Sequence, residues 1–155
     1  MLLREVEYAR AASVEEAVRL LASNDGARAL AGGQTLVNVL KLRIVAPDRL
    51  VDITRVDELR RIERDDAGLA VGAAVTYQEL VESPDVWAAR PVLAETAGII
   101  ADQQVRNCGT IGGNVCLNLP TNHFPPVLSV VEARFTIAGP DGERTVAAAD
   151  FFETR

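Results

Sequence analysis

Two short segments of this 155-residue chain carry residue types that could hold an anionic ligand. One is Leu30-Ala31-Gly32-Gly33-Gln34-Thr35 and the other is Thr110-Ile111-Gly112-Gly113-Asn114. Both contain a glycine pair with hydroxyl and amide side chains beside it. A strand that ends in such a turn and leads into a helix presents successive backbone N–H groups outward. Without Cβ atoms, a phosphate can approach those groups closely. Gln34 and Thr35, or Thr110 and Asn114, would add side-chain donors. One glycine pair is compatible with a tight turn and nothing more, whereas two such loops can clamp a single pyrophosphate from both sides. Neither is a Walker loop, since no Gly-Lys-Ser/Thr follows, and neither has the G-x-G-x-x-G spacing of a Rossmann fingerprint.

The residue pattern supports little other chemistry. No Ser-His-Asp set, carboxylate pair or histidine-rich ligand spacing occurs at a usable separation, so no catalytic residue and no metal ligand is assigned. Cys108 and Cys116 fit neither a disulfide framework nor a complete metal site, and both are expected to be buried, inert thiols. The net charge is −6 and the basic residues are scattered arginines, Lys41 being the one lysine. The densest basic cluster, Arg60, Arg61 and Arg64, sits among Glu63, Asp65 and Asp66, so nucleic acid is not an expected partner. No apolar run approaches the roughly 18–20 residues of a membrane span. Met1-Leu2-Leu3-Arg4-Glu5 turns to charge too early for a signal peptide, which leads to the expectation of a cytoplasmic protein.

Two glycine loops need a framework, and with 48% apolar residues the chain has core enough to build one. Residues 1–55 read as a β-α-β-α-β unit with parallel neighbours. A strand over Leu3 to Tyr8 precedes a helix opened by the capping box Ser13-Val14-Glu15-Glu16. A strand at Arg28 to Ala31 runs into the first glycine pair; a short helix from Leu36 to Leu42 and a strand from Arg49 to Ile53 follow. Residues 56–155 form a second unit. It has a hairpin across Asp65-Asp66-Ala67-Gly68, a helix capped by Thr76, and a helical stripe from Trp87 to Ile100. After these come a polar, glycine-rich stretch from Asn107 to Pro120, a helix from Pro125 to Val131, and a second hairpin around Gly139-Pro140-Asp141-Gly142. Tyr77, Trp87 and Phe124 are expected to be packing residues. The boundary between the units falls between Ile53 and Leu59, and the two glycine loops should face each other across the cleft there.

Taken together, four stretches resemble the FAD-binding medium subunits of the molybdenum hydroxylase family, the group of xanthine dehydrogenase and carbon monoxide dehydrogenase. They are Leu30 to Arg43, Leu50-Val51-Asp52-Ile53, Val71 to Thr76, and Gln104 to Asn114, in that order and at that spacing. The resemblance implies an α+β fold of the FAD-binding PCMH type, built from two α/β subdomains. One would be a small β-α-β N-terminal unit, the other a larger mixed or antiparallel sheet with helices. It also implies FAD contacts from Leu30, Ala31, Gly32, Gly33, Gln34 and Thr35, and from Thr110, Ile111, Gly112, Gly113 and Asn114, with Thr76 nearby. A branched side chain at Gly112 is then expected to fill the phosphate position at little cost to the fold.

Two departures from the family's pattern matter. Where the family has Ala-Ser-Pro-x-x-Asp, this chain has Asn118-Leu119-Pro120-Thr121-Asn122-His123, so His123 stands where an acid commonly meets the cofactor. A neutral imidazole can donate a hydrogen bond there but does not replace a carboxylate acceptor. The chain also stops just after Phe151-Phe152, where family members continue into a C-terminal domain; a separate chain could supply it. By resemblance the function is electron transfer in a molybdopterin-dependent dehydrogenase, an oxidoreductase complex. A molybdopterin-containing large subunit and a [2Fe-2S] small subunit would be its partners, and electrons would pass through FAD to NAD⁺, a quinone or another acceptor. The rival reading is a scaffold domain that keeps the fold without FAD.

Overall fold

The order of the first elements is the expected β-α-β-α-β. A computed structural model describes residues 4–119 and 121–152. In it β1 (Glu7–Arg10), α1 (Val14–Ala22), β2 (Ala27–Leu30), α2 (Leu36–Lys41) and β3 (Arg49–Asp52) build a three-stranded parallel sheet of order β1-β3-β2. The register sets Arg10 and Leu30 on either side of Asp52 at the C-terminal edge, the edge from which the first glycine pair departs. Half of the expected capping box at α1 is made. Ser13 accepts from the Glu16 N–H at 3.1 Å, but the Glu16 carboxylate accepts from Ala12 rather than from Ser13. Val51 and Val56 are fully buried, with Ala11, Ala17 and Ala27 around them. The small residues let α1 lie close on the sheet, and each buried valine contributes on the order of 1.5 kcal/mol.

Asp52 is the buried charge of this unit. Its carboxylate accepts from the Thr54 N–H at 2.8 Å, from the Thr54 hydroxyl at 2.6 Å and from the Tyr8 hydroxyl, with the Arg10 Nε at 3.5 Å. Burial alone would raise its pKa; these bonds and the arginine outweigh burial and hold the group below the usual carboxylate range.

A short 3₁₀ turn (Asp57–Arg60) leads into the second part of the chain. There β4 (Ile62–Asp65) pairs with β5 (Gly68–Val71) across a turn in which the Asp65 carboxylate accepts from the N–H groups of Ala67 and Gly68. The helices α3 (Tyr77–Glu82), α4 (Pro84–Ala89), α5 (Pro91–Gly98), α6 (Gln103–Arg106), α7 (Ile111–Leu117) and α8 (Phe124–Val130) follow. The hairpin of β6 (Arg134–Gly139) and β7 (Gly142–Ala147) and a last turn, α9 (Ala148–Phe151), complete the described chain. The antiparallel pairing expected of this half is thus carried by two separate hairpins.

Two expectations fail for local reasons. The stripe from Trp87 to Ile100 is two helices, because Pro91 has no N–H and its ring collides with a continuing helix; Arg90 turns out of helical geometry (φ −150°) and Pro91 starts α5. The stretch after Asn107 contains α7, a helix that tolerates two glycines because Thr110 caps it and Gly112 needs the room.

Phe124, Leu80, Val75 and Val86 form the fully buried centre of the second core, with Leu93, Ile111, Val115 and Leu128 around them. Phe151 and Phe152 are half-buried and meet Phe135 edge to face, with ring centroids 5.0 and 5.5 Å away. Trp87 is packed less tightly than expected: it is 46% exposed, and its indole N–H donates to the Val81 carbonyl at 2.7 Å. Among the described residues, no helix is long and apolar enough to cross a membrane.

Candidate functional site

The first loop leaves β2 at Leu30, turns at Gly33 (φ +69°) and enters α2 after Thr35. The positive φ requires glycine there. The carbonyls of Gly33 and Thr35 accept from Val37 and Val39, starting the helix. The N–H groups of Gly33, Gln34 and Thr35 meet no acceptor among the described residues. Gln34 and Thr35 are exposed. This loop therefore offers successive free donors, as anticipated.

The second loop is built differently. Thr110 pairs with Thr76 in an antiparallel bridge, with the Tyr77 N–H donating to Gly109 at 2.9 Å and the Ile111 N–H to Val75 at 3.0 Å. The Gly112 N–H donates to the Ala73 carbonyl at 2.9 Å. The Gly113 N–H donates to the Thr110 hydroxyl oxygen, and the Asn114 N–H to the Thr110 carbonyl, each at 3.1 Å. The N–H groups of residues 111–114 are thus already used by the fold. The expectation that both loops offer backbone donors holds for the first and fails at these four positions, because the second loop doubles as a sheet bridge and a helix cap. Nor is Gly112 a free surface position. A Cβ there would lie 2.5 Å from the Ala73 carbonyl oxygen and 2.6 Å from the Ala73 methyl, so a branched side chain breaks the fold before it meets any ligand.

The backbones of the two loops touch. A Cβ on Gly32 would sit 2.0 Å from the carbonyl oxygen of Cys108 and 2.9 Å from the Cα of Gly109. The free donors of residues 33–35 therefore stand one residue away from the segment that opens the second loop.

The remaining assigned residues take distinct places. Leu30 and Ala31 are half-buried at the end of β2. The Ile111 side chain belongs to the core. Thr76 spends its polar groups on a complete capping box with Glu79: the hydroxyl oxygen accepts from the Glu79 N–H, while its own N–H and hydroxyl donate to the Glu79 carboxylate. Those bonds, with Arg60 at 3.2 Å, outweigh burial and hold Glu79 below the usual carboxylate range. Gly113 is exposed. His123 is exposed at the start of α8, and its side chain makes no capping bond. The preceding Asn122 amide donates to the Asn114 carbonyl at 3.1 Å and ties this segment to α7. Leu3, Pro120 and residues 153–155 lie outside the described residues.

Thr110 and Asn114 are the buried polar residues of the second loop, and Asn114 is the one with an unpaired atom. Its Nδ2 donates to the Tyr77 hydroxyl at 3.1 Å, while Oδ1 is shielded from solvent and has no partner among the described residues. The packing role expected of Tyr77 is half of what it does. Its ring stacks on Phe124 (5.8 Å, 21° between planes) and fills the space beside Gly109, while its hydroxyl reaches Asn114. The sequence carries no local signal for that bond, since 37 residues separate the partners.

Cys108 and Cys116 are exposed, not buried as expected. On α7 the inward positions are Ile111, Asn114 and Val115, which turns the next residue outward. The protein around Cys116 still raises its thiol pKa through desolvation, so it is a poor nucleophile at neutral pH. Among the described residues, no group of three or more His, Cys, Asp or Glu side chains could hold a metal. An open groove of about 860 Å³ lies between α1 and the β6–β7 turn, bordered by Val14, Val18, Arg19, Pro140 and Glu143; it involves neither glycine loop.

Comparison with known proteins fits this geometry. Residues 4–155 match the family described as the FAD binding domain in molybdopterin dehydrogenase. The chain is 46% identical over 147 residues to the carbon monoxide dehydrogenase medium chain of Hydrogenophaga pseudoflava, covering 94% of this chain and 51% of that one. It is 38% identical over 149 residues to the glyceraldehyde dehydrogenase medium chain of Sulfolobus acidocaldarius, covering 96% and 53%. Its structure superposes on the carbon monoxide dehydrogenase of H. pseudoflava with a TM-score of 0.96 at 44% identity, covering 99% of this chain and 54% of that one. For quinoline 2-oxidoreductase from Pseudomonas putida 86 the TM-score is 0.94 at 35% identity, with coverages of 97% and 53%. The chain spans about half the length of the relatives it matches. The fold is that of an α+β FAD-binding domain. More specifically, the chain belongs to the FAD-binding domains of molybdopterin dehydrogenases.

The residues present fit that cofactor. The first loop holds free N–H groups for an anion, and Asn114 keeps one buried polar atom without a protein partner.

Proposed function

We propose that this chain is the FAD-binding component of a molybdopterin-dependent dehydrogenase or hydroxylase complex. In it, a large subunit would carry the molybdenum centre and a small subunit the [2Fe-2S] clusters. FAD, when bound, supplies the redox chemistry that accepts those electrons and passes them to NAD⁺, a quinone or another acceptor. The chain's own work is to bind and orient. The free N–H groups of Gly33, Gln34 and Thr35 hold the pyrophosphate, with Leu30, Ala31 and Gly32 shaping the approach. Thr110, Gly112 and Gly113 keep the second loop in place, and Asn114 adds a side-chain contact. His123 lies at the rim. Residues 1–55 and 56–155 act as the two subdomains between which the cofactor lies. The proposed compartment is the cytoplasm, where the free thiols of Cys108 and Cys116 stay reduced.

The observation that carries this reading is the backbone contact of Gly32 with Cys108 and Gly109, which sets free donors from one loop beside the other. Relatives named as medium chains of dehydrogenases support the assembly. The test is calorimetric titration of the purified chain with FAD, AMP and FMN. Saturable 1:1 binding of FAD, tighter than of either fragment, is the expected result. A folded chain that binds no FAD supports the scaffold reading and overturns this one.

A further inference from the structure

Asn114 is an unusual expense for a small domain. Its side chain is more than nine-tenths buried in the second core, yet Oδ1 has no hydrogen-bond partner among the described residues. A buried polar atom left unpaired is destabilising and is rare in folded proteins. The residue that fixes its orientation is Tyr77. The ring cannot swing away: it is stacked on Phe124 and packs against Gly109, filling the place a Cβ would take there. The Tyr77 backbone is held as well, by its N–H bond to Gly109 and the Thr76–Thr110 bridge one residue before it. Burial pushes the Tyr77 hydroxyl above the ordinary phenol range despite the lowering effect of the Asn114 bond, so it is neutral at physiological pH. A neutral, immobile hydroxyl that accepts from Nδ2 leaves Oδ1 as the free end of the amide.

We infer that Tyr77 is a positioning residue that sets the Asn114 carboxamide so that Oδ1 accepts a hydrogen bond from the bound flavin nucleotide. This rests on the FAD-binding reading and deepens it. An amide oxygen can only accept, so its partner must be a donor. The hydroxyls of the ribityl chain or ribose and the imide N–H of the isoalloxazine meet that requirement, and the ionised pyrophosphate does not. The two loops then divide the work: backbone donors of residues 33–35 take the anion, and the Asn114 acceptor takes a hydroxyl or N–H.

The test is a double-mutant cycle on FAD affinity, with the thermal midpoint of the flavin-free protein read alongside. Tyr77→Phe keeps the stacked ring and removes only the hydroxyl. FAD affinity should fall about tenfold, the size of one lost hydrogen-bonded contact. In an Asn114→Leu background, which removes both amide atoms, FAD affinity should already be reduced and Tyr77→Phe should change it by less than about twofold. Asn114→Leu together with Tyr77→Phe should melt no lower than the parent without flavin, since an unpaired buried oxygen has been replaced by an apolar side chain. The melting midpoint of Tyr77→Phe alone should fall, since Asn114 Nδ2 loses its acceptor; a purely structural tyrosine would weaken FAD binding equally in both backgrounds, and that result overturns the inference. So does a Tyr77→Phe variant that binds FAD as the parent does. If the parent itself binds no FAD, the proposed function falls, and this inference with it.

Discussion

Gly32 and Cys108 are in backbone contact: the Cys108 carbonyl oxygen lies 2.0 Å from where a Cβ on residue 32 would stand. No side chain fits, and the obstacle is main chain that is itself fixed by the Cys108 and Gly109 N–H bonds to Val105. Gly32→Ala should therefore separate the loops, at a cost of about 3 kcal/mol in fold stability, and reduce FAD binding with it. Denaturant unfolding of the variant checks this; stability equal to the parent's would show that the two loops are not in contact.

The second glycine pair separates folding from binding. At Gly112 an added methyl meets the Ala73 carbonyl, so Gly112→Ala should be destabilising by about 2–3 kcal/mol whether or not FAD is present. At Gly113 an added methyl meets only the Thr110 hydroxyl oxygen, at 2.9 Å. There the gain in helix propensity, about 1 kcal/mol, offsets the disturbed cap. Gly113→Ala should melt within a few degrees of the parent yet bind FAD more weakly, because Gly113 is exposed on the loop. Melting curves and FAD titrations of both variants decide it.

The motif order was sufficient to recognise the family, and the framework of the N-terminal unit was legible because each signal was local. The Ser13 cap, the glycine pair after a short apolar run and the alternation of strand and helix all act within a few residues. The Thr76–Glu79 capping box was readable for the same reason. What could not be read were relationships between distant segments. The consumption of the Ile111 and Gly112 N–H groups depends on Val75 and Ala73, nearly 40 residues away in sequence, whereas the Gly113 and Asn114 N–H groups go to the nearby Thr110. The Tyr77–Asn114 bond depends on how α7 meets α3, and the outward turn of Cys116 on which face of α7, that of Ile111, Asn114 and Val115, is buried. Pro91 was in plain view, but an apolar stripe running through it concealed the break.

Asp52 gives a pH-dependent prediction. Its folded-state pKa is depressed, so the stabilisation is fully present above the unfolded value near 4 and is lost as pH falls through the lower, folded value. At pH 7, Asp52→Ala should be less stable than the parent by about 1.5–3 kcal/mol, the range for hydrogen bonds to a charged group. That gap should narrow steadily as the pH is lowered below about 4. A gap that stays constant down to pH 2 would mean that the carboxylate's charge plays no part. Because Asp52 neighbours Leu30 in the sheet, the same variant should loosen the exit of β2 toward Gly32.

His123 provides the sharpest test of the rim of the site. It begins α8 with helical backbone angles (φ −79°, ψ −34°), and its side chain caps nothing. His123→Asp would place a carboxylate where the resemblance puts an acid beside the cofactor. FAD binding should tighten by about 1.5–3 kcal/mol, the contribution of one charge-assisted hydrogen bond. An acid at a helix start also stabilises the helix, so a higher melting midpoint by itself proves nothing about the cofactor. His123→Asn separates the two effects, since it caps about as well as Asp but carries no charge. Both variants should melt slightly above the parent without flavin, and only His123→Asp should bind FAD more tightly in calorimetric titration. Equal gains in affinity from both would trace the effect to ordering of α8. No gain from either would show that position 123 does not reach the cofactor and that affinity is set by the two glycine loops.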